Sequence, residues 1–186
     1  MTIIAMLAAL AYVVHFIHIP VAFLNLDFKD VVMTIGGMYF GPITGAVLSI
    51  LVPLLEYPTS ETGPYGLIMN IISSGTFVIV ASLIYRFKKT MTGAIVALCS
   101  AVFSMVAVMM VANLFITPYY MGAERSMVVA LIPTLLLPFN ICKSVINAAS
   151  LLIIYKPITS GLKKARLLKN ENNNSFKISK KSIGYN

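Results

Sequence analysis

The residues of this chain that could do chemistry stand together in one apolar stretch near its C-terminal end. Asn140, Lys143 and Asn147 occupy positions i, i+3 and i+7, so a helix places their side chains on one face. A lysine near the middle of a membrane helix costs about 2.5–3.5 kcal/mol on insertion scales, and it normally faces a cavity or the interior of a bundle. The ammonium group therefore needs a partner, which is either a carboxylate of the protein or a bound solute.

The elements that must position these residues are membrane helices. The 186-residue chain has a mean hydropathy of +0.90, with 59% hydrophobic and 11% charged residues. A soluble domain carries about 25% charged residues. The apolar runs are also too long and too numerous for one soluble core. The composition predicts an all-α, polytopic membrane protein.

Six apolar runs predict a bundle of six transmembrane helices. They cover residues 2–19, 31–40, 43–57, 65–85, 91–116 and 134–155. The second and third runs are shorter than the roughly 20 residues that a span needs, and we predict that they meet at a turn at Gly41-Pro42. The alternative is one long kinked helix. With six helices, most lysines and arginines lie on the side of the two termini, and the positive-inside rule then predicts that both termini are cytoplasmic.

The segment between the first two helices mixes apolar side chains with carboxylates. It contains Leu24, Leu26, Asp27 and Phe28. A loop with this much apolar surface is expected to fold back over the bundle instead of standing in solvent. Asp30 is placed to cap the helix that follows.

The polar side chains of the predicted spans suit binding better than catalysis. Asn113 and Asn140 can each donate and accept hydrogen bonds, and Lys143 can donate to a carbonyl oxygen. The sequence has no metal-ligand motif, nucleophile elbow or phosphate-binding glycine loop. His15 and His18 have no third ligand nearby. We therefore predict no catalytic residue, no metal and no cofactor, but a pocket for an aromatic or amphipathic solute with carbonyl and amide-like edges.

Two alternatives remain for these polar residues. Either asparagine alone could simply form hydrogen bonds between helices. The last three predicted spans contain no carboxylate, which favours a ligand as the partner of Lys143, although Asp27 and Asp30 are rival partners when no ligand is bound. Asn147 lies about 10 Å deeper than Asn140 at 1.5 Å per residue, and we predict that it packs between helices.

The two ends of the chain carry further signals. Ala5 and Ala9 form a small-xxx-small pair that allows close approach of another helix, either a partner or one of the protein's own. Residues 158–186 are basic and then rich in asparagine, so we predict a membrane domain over residues 1–157 and a cytoplasmic tail that is disordered toward its end. The net charge of +8 lies mostly in this tail and in residues 86–89. This is a topological pattern, and it predicts no nucleic-acid partner.

Several of these stretches together resemble a known family. They are Leu26-Asp27-Phe28-Lys29-Asp30-Val31, Phe40-Gly41-Pro42 with Gly45, Gly63-Pro64-Tyr65-Gly66 leading to Met69-Asn70, Asn113-x-Phe115 before Pro118-Tyr119, and Pro138-Phe139-Asn140-x-x-Lys143. The chain resembles the substrate-binding S components of energy-coupling factor (ECF) vitamin transporters, most closely the riboflavin-specific type.

This resemblance implies a six-helix protein of the bacterial cell membrane that captures riboflavin from outside. The implied partners are a transmembrane coupling protein and two cytoplasmic ATPases. The implied ligand contacts are Asn113, Asn140 and Lys143 on the flavin ring, with Asn70 nearby and the covering loop of Leu24, Leu26, Asp27 and Phe28. Ala5 and Ala9 match the docking face of the family. The alternatives are the same fold serving another vitamin or a flavin nucleotide, a stand-alone secondary carrier, and a membrane subunit without a ligand.

Overall fold

The computed structural model describes residues 2–21, 24–59, 63–122 and 125–182, and for residues 18–21, 24–26, 120–121 and 162–182 it describes the backbone alone. One compact unit ends at Leu151 and a second begins at Leu152. The polar site lies entirely in the first unit.

The chain begins with a helix followed by a β-hairpin. Helix α1 covers Thr2–His15, and strands β1 (His18–Val21) and β2 (Leu24–Asp27) pair antiparallel, with His18 opposite Asp27. The prediction of a helix as far as residue 19 is therefore wrong at its end. Pro20 has no N–H and restricts the residue before it to extended conformations, which ends the helix and favours a strand. The predicted covering loop is this hairpin.

Two short helices follow, as predicted, and the alternative of one kinked helix is wrong. Helix α2 covers Lys29–Phe40 and α3 covers Pro42–Glu56; between them Gly41 has a φ of 109°, which other residues rarely adopt. The two helices pack closely, since a Cβ added to Gly37 would lie 3.2 Å from the Cα of Gly45.

The prediction that Asp30 caps α2 is wrong. Phe28 occupies the N-cap position without a side-chain hydrogen bond, and Asp30 lies in the first turn of the helix with its side chain buried. Its carboxylate contacts side chains of α2's neighbours in the bundle, Ser74 and Asn147.

Helices α4 (Gly63–Phe87) and α5 (Met91–Met121) are the two long predicted spans. The Thr90 side chain caps α5 by accepting a hydrogen bond from the Gly93 N–H at 3.2 Å. The loop predicted from residue 117 begins later, because α5 continues through Pro118. The helix ends at Gly122, which has a φ of 60° and donates its N–H to the Pro118 carbonyl.

The last helix runs without a break through three consecutive segments. Counted as one, it brings the helices of the described residues to six. Helix α6 (Arg125–Leu131) leads through a π-helical turn (Ile132–Leu136) into α7 (Leu137–Ser182). In the wider turn the Leu137 N–H donates to the Ile132 carbonyl, and Pro138, which has no N–H to give, follows directly. The backbone of the predicted tail is helical as far as Ser182, and the division at residue 157 stays a prediction.

Four helical stretches of the described residues are long and apolar enough to cross a membrane. They are Pro42–Thr59, Gly63–Phe87, Met91–Tyr119 and Arg125–Gly161. Helices α1, with 14 residues, and α2, with 12, are shorter. Helices α1, α2, α3 and α4 share one buried apolar core, whose members include Leu7, Ala11, Met33, Leu48 and Val78. This all-α membrane architecture confirms the predicted fold class.

Candidate functional site

A buried carboxylate at the end of the hairpin joins two lysines. Asp27 is 2% exposed, and its Oδ2 lies 3.4 Å from Lys29 Nζ and 3.6 Å from Lys143 Nζ. Its other oxygen, Oδ1, is buried and has no hydrogen-bond partner among the described residues. Burial alone would raise the pKa of Asp27, but the ammonium groups of Lys143 and Lys29 hold that pKa below its ordinary value. The carboxylate is therefore ionised at neutral pH.

Lys29 anchors the second part of this cluster. Its side chain is fully buried and donates a hydrogen bond to Oε2 of Glu56, at the end of α3. The Nδ1 atom of His15, in the last turn of α1, lies 3.4 Å from Oε1 of the same carboxylate. The ends of α1, α2 and α3 thus meet around one buried ion pair, directly beside the hairpin.

Asp30 forms the third part and connects α2 to two later helices. Its Oδ1 accepts a hydrogen bond of 2.6 Å from Ser74 Oγ on α4, and its Oδ2 accepts a long one of 3.5 Å from Asn147 Nδ2 on α7. All three side chains are buried. Asn147 therefore packs between helices, as predicted, and Lys143, one turn earlier on α7, is held at the level of Asp27.

The two predicted asparagines are buried and hydrogen-bonded within their own helices. Asn113 Nδ2 donates to the Met109 carbonyl at 2.7 Å, and its Oδ1 accepts from Thr117 Oγ1 at 2.9 Å. Asn140 Nδ2 donates to the Leu136 carbonyl at 2.7 Å, in the π-helical turn. Among the described side chains neither amide is recorded in a hydrogen bond to another helix. One N–H of each amide is left for a further partner.

The predicted site residues divide into those that the structure brings together and those that it does not. Lys143 pairs with Asp27, one of the two carboxylates named as its rival partners; Asp30 instead binds Ser74 and Asn147.

Among the described side chains, no recorded hydrogen bond or ion pair joins the other predicted ligand contacts to this cluster. Asn70 is half-buried on α4, one turn before Ser74, and Phe28 is half-buried at the start of α2. Leu24 and Leu26 lie on β2, and their side chains fall outside the described part of the chain. The contact of these residues with a ligand stays a prediction.

Sequence reasoning missed the ion pair of Lys29 with Glu56, because Lys29 lies in the segment before the second predicted helix and Glu56 near the end of the third. A signal was present in the spacing. Glu56 follows Leu48, Ser49, Val52 and Pro53 at intervals that place it on the buried face of α3. A glutamate on the buried face of a helix needs a cationic partner. Lys29, at the start of the preceding helix α2, is the candidate in the sequence.

The alanine pair of α1 lies on the exposed side of that helix. Ala5 and Ala9 are exposed, whereas Ala8 and Ala11 are buried in the core. The core-facing alanines of α1 are therefore not the predicted pair. Ala5 and Ala9 remain accessible to lipid or to a partner helix, and their role in docking stays a prediction.

Comparison with known proteins gives a consistent result. The family model described as "ECF transporter, substrate-specific component" matches residues 1–155. The chain is 29% identical over 171 residues to the riboflavin transporter RibU of Staphylococcus aureus (strain TCH60), covering 87% of this chain and 90% of that protein. It is 25% identical to the riboflavin transporter FmnP of Bacillus subtilis (strain 168), covering 83% and 89%.

A solved structure supports the same assignment. It is described as the S component of a bacterial ECF transporter, and it matches with a TM-score of 0.75 at 29% identity, over 86% of this chain and 95% of that one. The family match covers residues 1–155, and the structural match shows that the fold is shared. The chain belongs to the substrate-specific components of ECF transporters.

Proposed function

We propose that this protein is the riboflavin-binding subunit of an ECF transporter, which captures the vitamin from outside and passes it inward together with an ATP-driven module. The observation that carries the proposal is the buried pair of Lys143 and Asp27, because it brings a hydrogen-bond donor on α7 next to an acceptor on the hairpin. Two relatives that match over most of the chain are named as riboflavin transporters. The protein binds and delivers its substrate and performs no chemical conversion.

The proposed contacts follow from the buried polar groups. Lys143, Asn113 and Asn140 hold the flavin ring, whose carbonyl groups and ring nitrogens match ammonium and amide donors. The hairpin residues Leu24, Leu26 and Asp27, with Phe28 directly after them, cover the ring, and Asn70 lies one turn before Ser74 on α4. Burial of the ammonium and amide groups favours tight binding, since each hydrogen bond forms away from water.

The proposed partners are a transmembrane coupling protein and two cytoplasmic ATPases. The family description as a substrate-specific component implies that other subunits supply the energy. The exposed small-residue pair Ala5 and Ala9 is the proposed docking surface, because small side chains let a partner helix approach closely. The protein is proposed to lie in the bacterial plasma membrane with both termini in the cytoplasm, where most of its lysines and arginines would then be found.

Binding of riboflavin to the purified protein tests this function. The wild-type protein in detergent is expected to quench riboflavin fluorescence stoichiometrically at nanomolar concentrations. The double variant Asn140→Ala, Lys143→Ala is expected to lose at least about 100-fold in affinity, because two hydrogen bonds, one of them from a charged group, are removed.

A matched control separates loss of the site from loss of charge on the last helix. Lys156→Ala removes an exposed lysine of the same helix, and it should leave the affinity unchanged. Competition with FMN, thiamine and biotin identifies the preferred ligand. A wild-type protein that does not bind riboflavin, or a double variant that binds riboflavin as well as the wild type does, contradicts the proposal.

A further inference from the structure

Asp27 offers a buried hydrogen-bond acceptor that the protein itself does not use. Its Oδ2 atom is shared by Lys29 and Lys143, whereas Oδ1 has no partner among the described residues and is shielded from solvent. A buried acceptor without a partner loses the full free energy of its hydration, about 1–3 kcal/mol or more for a charged group. Such an atom is suited to accept a hydrogen bond from a ligand.

Lys143 offers the complementary donor. Lys29 donates a hydrogen bond to Glu56, but the one ion-pair contact recorded for Lys143 within the described residues is Asp27, at 3.6 Å. This distance exceeds the usual range for a hydrogen bond from nitrogen to oxygen. Its ammonium carries three N–H groups and is 4% exposed. Of the two lysines that contact Asp27, Lys143 therefore has more donors left for a ligand.

We propose that Asp27 Oδ1 and Lys143 Nζ together recognise the imide edge of the flavin ring, with Asp27 selecting for the imide N–H. The inference rests on the proposed function, and it adds a specificity determinant to it. The pyrimidine part of a flavin presents one N–H between two carbonyl groups. The N–H donates to the carboxylate while a neighbouring carbonyl accepts from the ammonium, so that both hydrogen bonds are charge-assisted.

The same pair of groups explains what the site would reject. A ligand whose imide nitrogen carries a methyl group has no proton for Asp27 and leaves the carboxylate oxygen buried and unpaired. Sites that are built to bind an N–H discriminate strongly against analogues that lack it, for this reason. Asp27 also lies on the hairpin, so its hydrogen bond to the ligand would hold the hairpin over the bound ring.

The test compares riboflavin with 3-methylriboflavin, which has the same carbonyls and the same ribityl chain but no imide N–H. The wild-type protein is expected to bind the methylated compound about 10- to 100-fold more weakly, as for a hydrogen bond to a charged group. In Asp27→Ala this ratio should fall to about one, and in Asp27→Asn it should fall by at least about 5-fold, since a neutral acceptor is weaker. Unfolding temperatures of the variants check that they are folded, and Asp27→Asn, which preserves shape, serves if Asp27→Ala is not.

Two controls restrict the interpretation. Glu56→Gln changes the other carboxylate that contacts Lys29 and should leave the ratio as in the wild type. The ratio between riboflavin and 5-deazariboflavin, which differs away from the imide edge, should be the same in Asp27→Ala as in the wild type. Equal binding of riboflavin and 3-methylriboflavin by the wild type, or an unchanged ratio in Asp27→Asn, overturns the inference while riboflavin binding stands. Failure of the wild type to bind riboflavin overturns the proposed function and the inference with it.

Discussion

Glu56→Ala tests whether the buried cluster stabilises the fold. Lys29 is fully buried at the start of α2, and its hydrogen-bonding partner is Glu56 at the end of α3. The variant removes that partner and keeps the lysine, so the remaining charge has only the Asp27 contact at 3.4 Å. The carboxylate near His15 is lost at the same time.

The magnitude follows from the degree of burial. Removing one member of a buried ion pair costs about 3–5 kcal/mol, because the other charge stays uncompensated in a medium of low polarity. We expect a loss of about 3 kcal/mol in the free energy of unfolding, at the lower end of that range, since Asp27 still offsets part of the charge of Lys29. At about 2–4 °C per kcal/mol for a chain of this size, the midpoint of thermal unfolding falls by about 6–12 °C.

The assay is thermal unfolding of the detergent-solubilised protein, followed by circular dichroism. Glu56→Gln, which keeps an acceptor for Lys29 but no charge, should lie between the wild type and Glu56→Ala. The double variant Lys29→Met, Glu56→Leu should recover part of the loss, because the ammonium of Lys29 is removed together with its partner. A midpoint of Glu56→Ala within about 2 °C of the wild type would refute this reasoning and place the pair in contact with water.

Two further predictions concern packing and docking. Gly37→Ala places a Cβ 2.1 Å from Ser82 Oγ and should destabilise the protein by about 1–3 kcal/mol in the same unfolding assay. The control is Gly161→Ala, which should not destabilise the protein because its Cβ meets open space. Ala5→Leu combined with Ala9→Leu should abolish riboflavin uptake in cells that contain the complete transporter, while the purified variant binds riboflavin as the wild type does. Loss of binding in that variant would indicate instead that the two alanines support the protein's own fold.

Local features of the sequence were sufficient to predict most of the helices. The long spans α4 and α5 follow from uninterrupted apolar runs, since burial in lipid requires that backbone groups are satisfied within a helix. The break at Gly41 between α2 and α3 was also predictable, because a positive φ there and a proline after it end one helix and begin the next.

The errors in the predicted helix ends arose where the same local sequence is compatible with two structures. The fifth span was predicted to end at residue 116, but Pro118 removes only one backbone hydrogen bond, and the helix continues to Met121. The sequence predicted a helix end and an apolar loop after α1, whereas residues 18–21 and 24–27 pair as antiparallel strands. The pairing of two strands depends on cross-strand hydrogen bonds, which the composition of each strand alone does not reveal.

Sequence alone determined the membrane class, the six-helix pattern and the presence of Asn113, Asn140 and Lys143 as buried polar groups needing partners. The recorded partners of the two asparagines are local, within their own helices, whereas the tertiary structure alone decided the partners of the charged side chains. Lys143 pairs with Asp27 of the hairpin, and Asp30 binds Asn147, which is 117 residues away along the chain. The physical reason is that burial makes a partner necessary for any charged side chain, whereas the choice of partner depends on which helix ends the packing brings within a few ångströms.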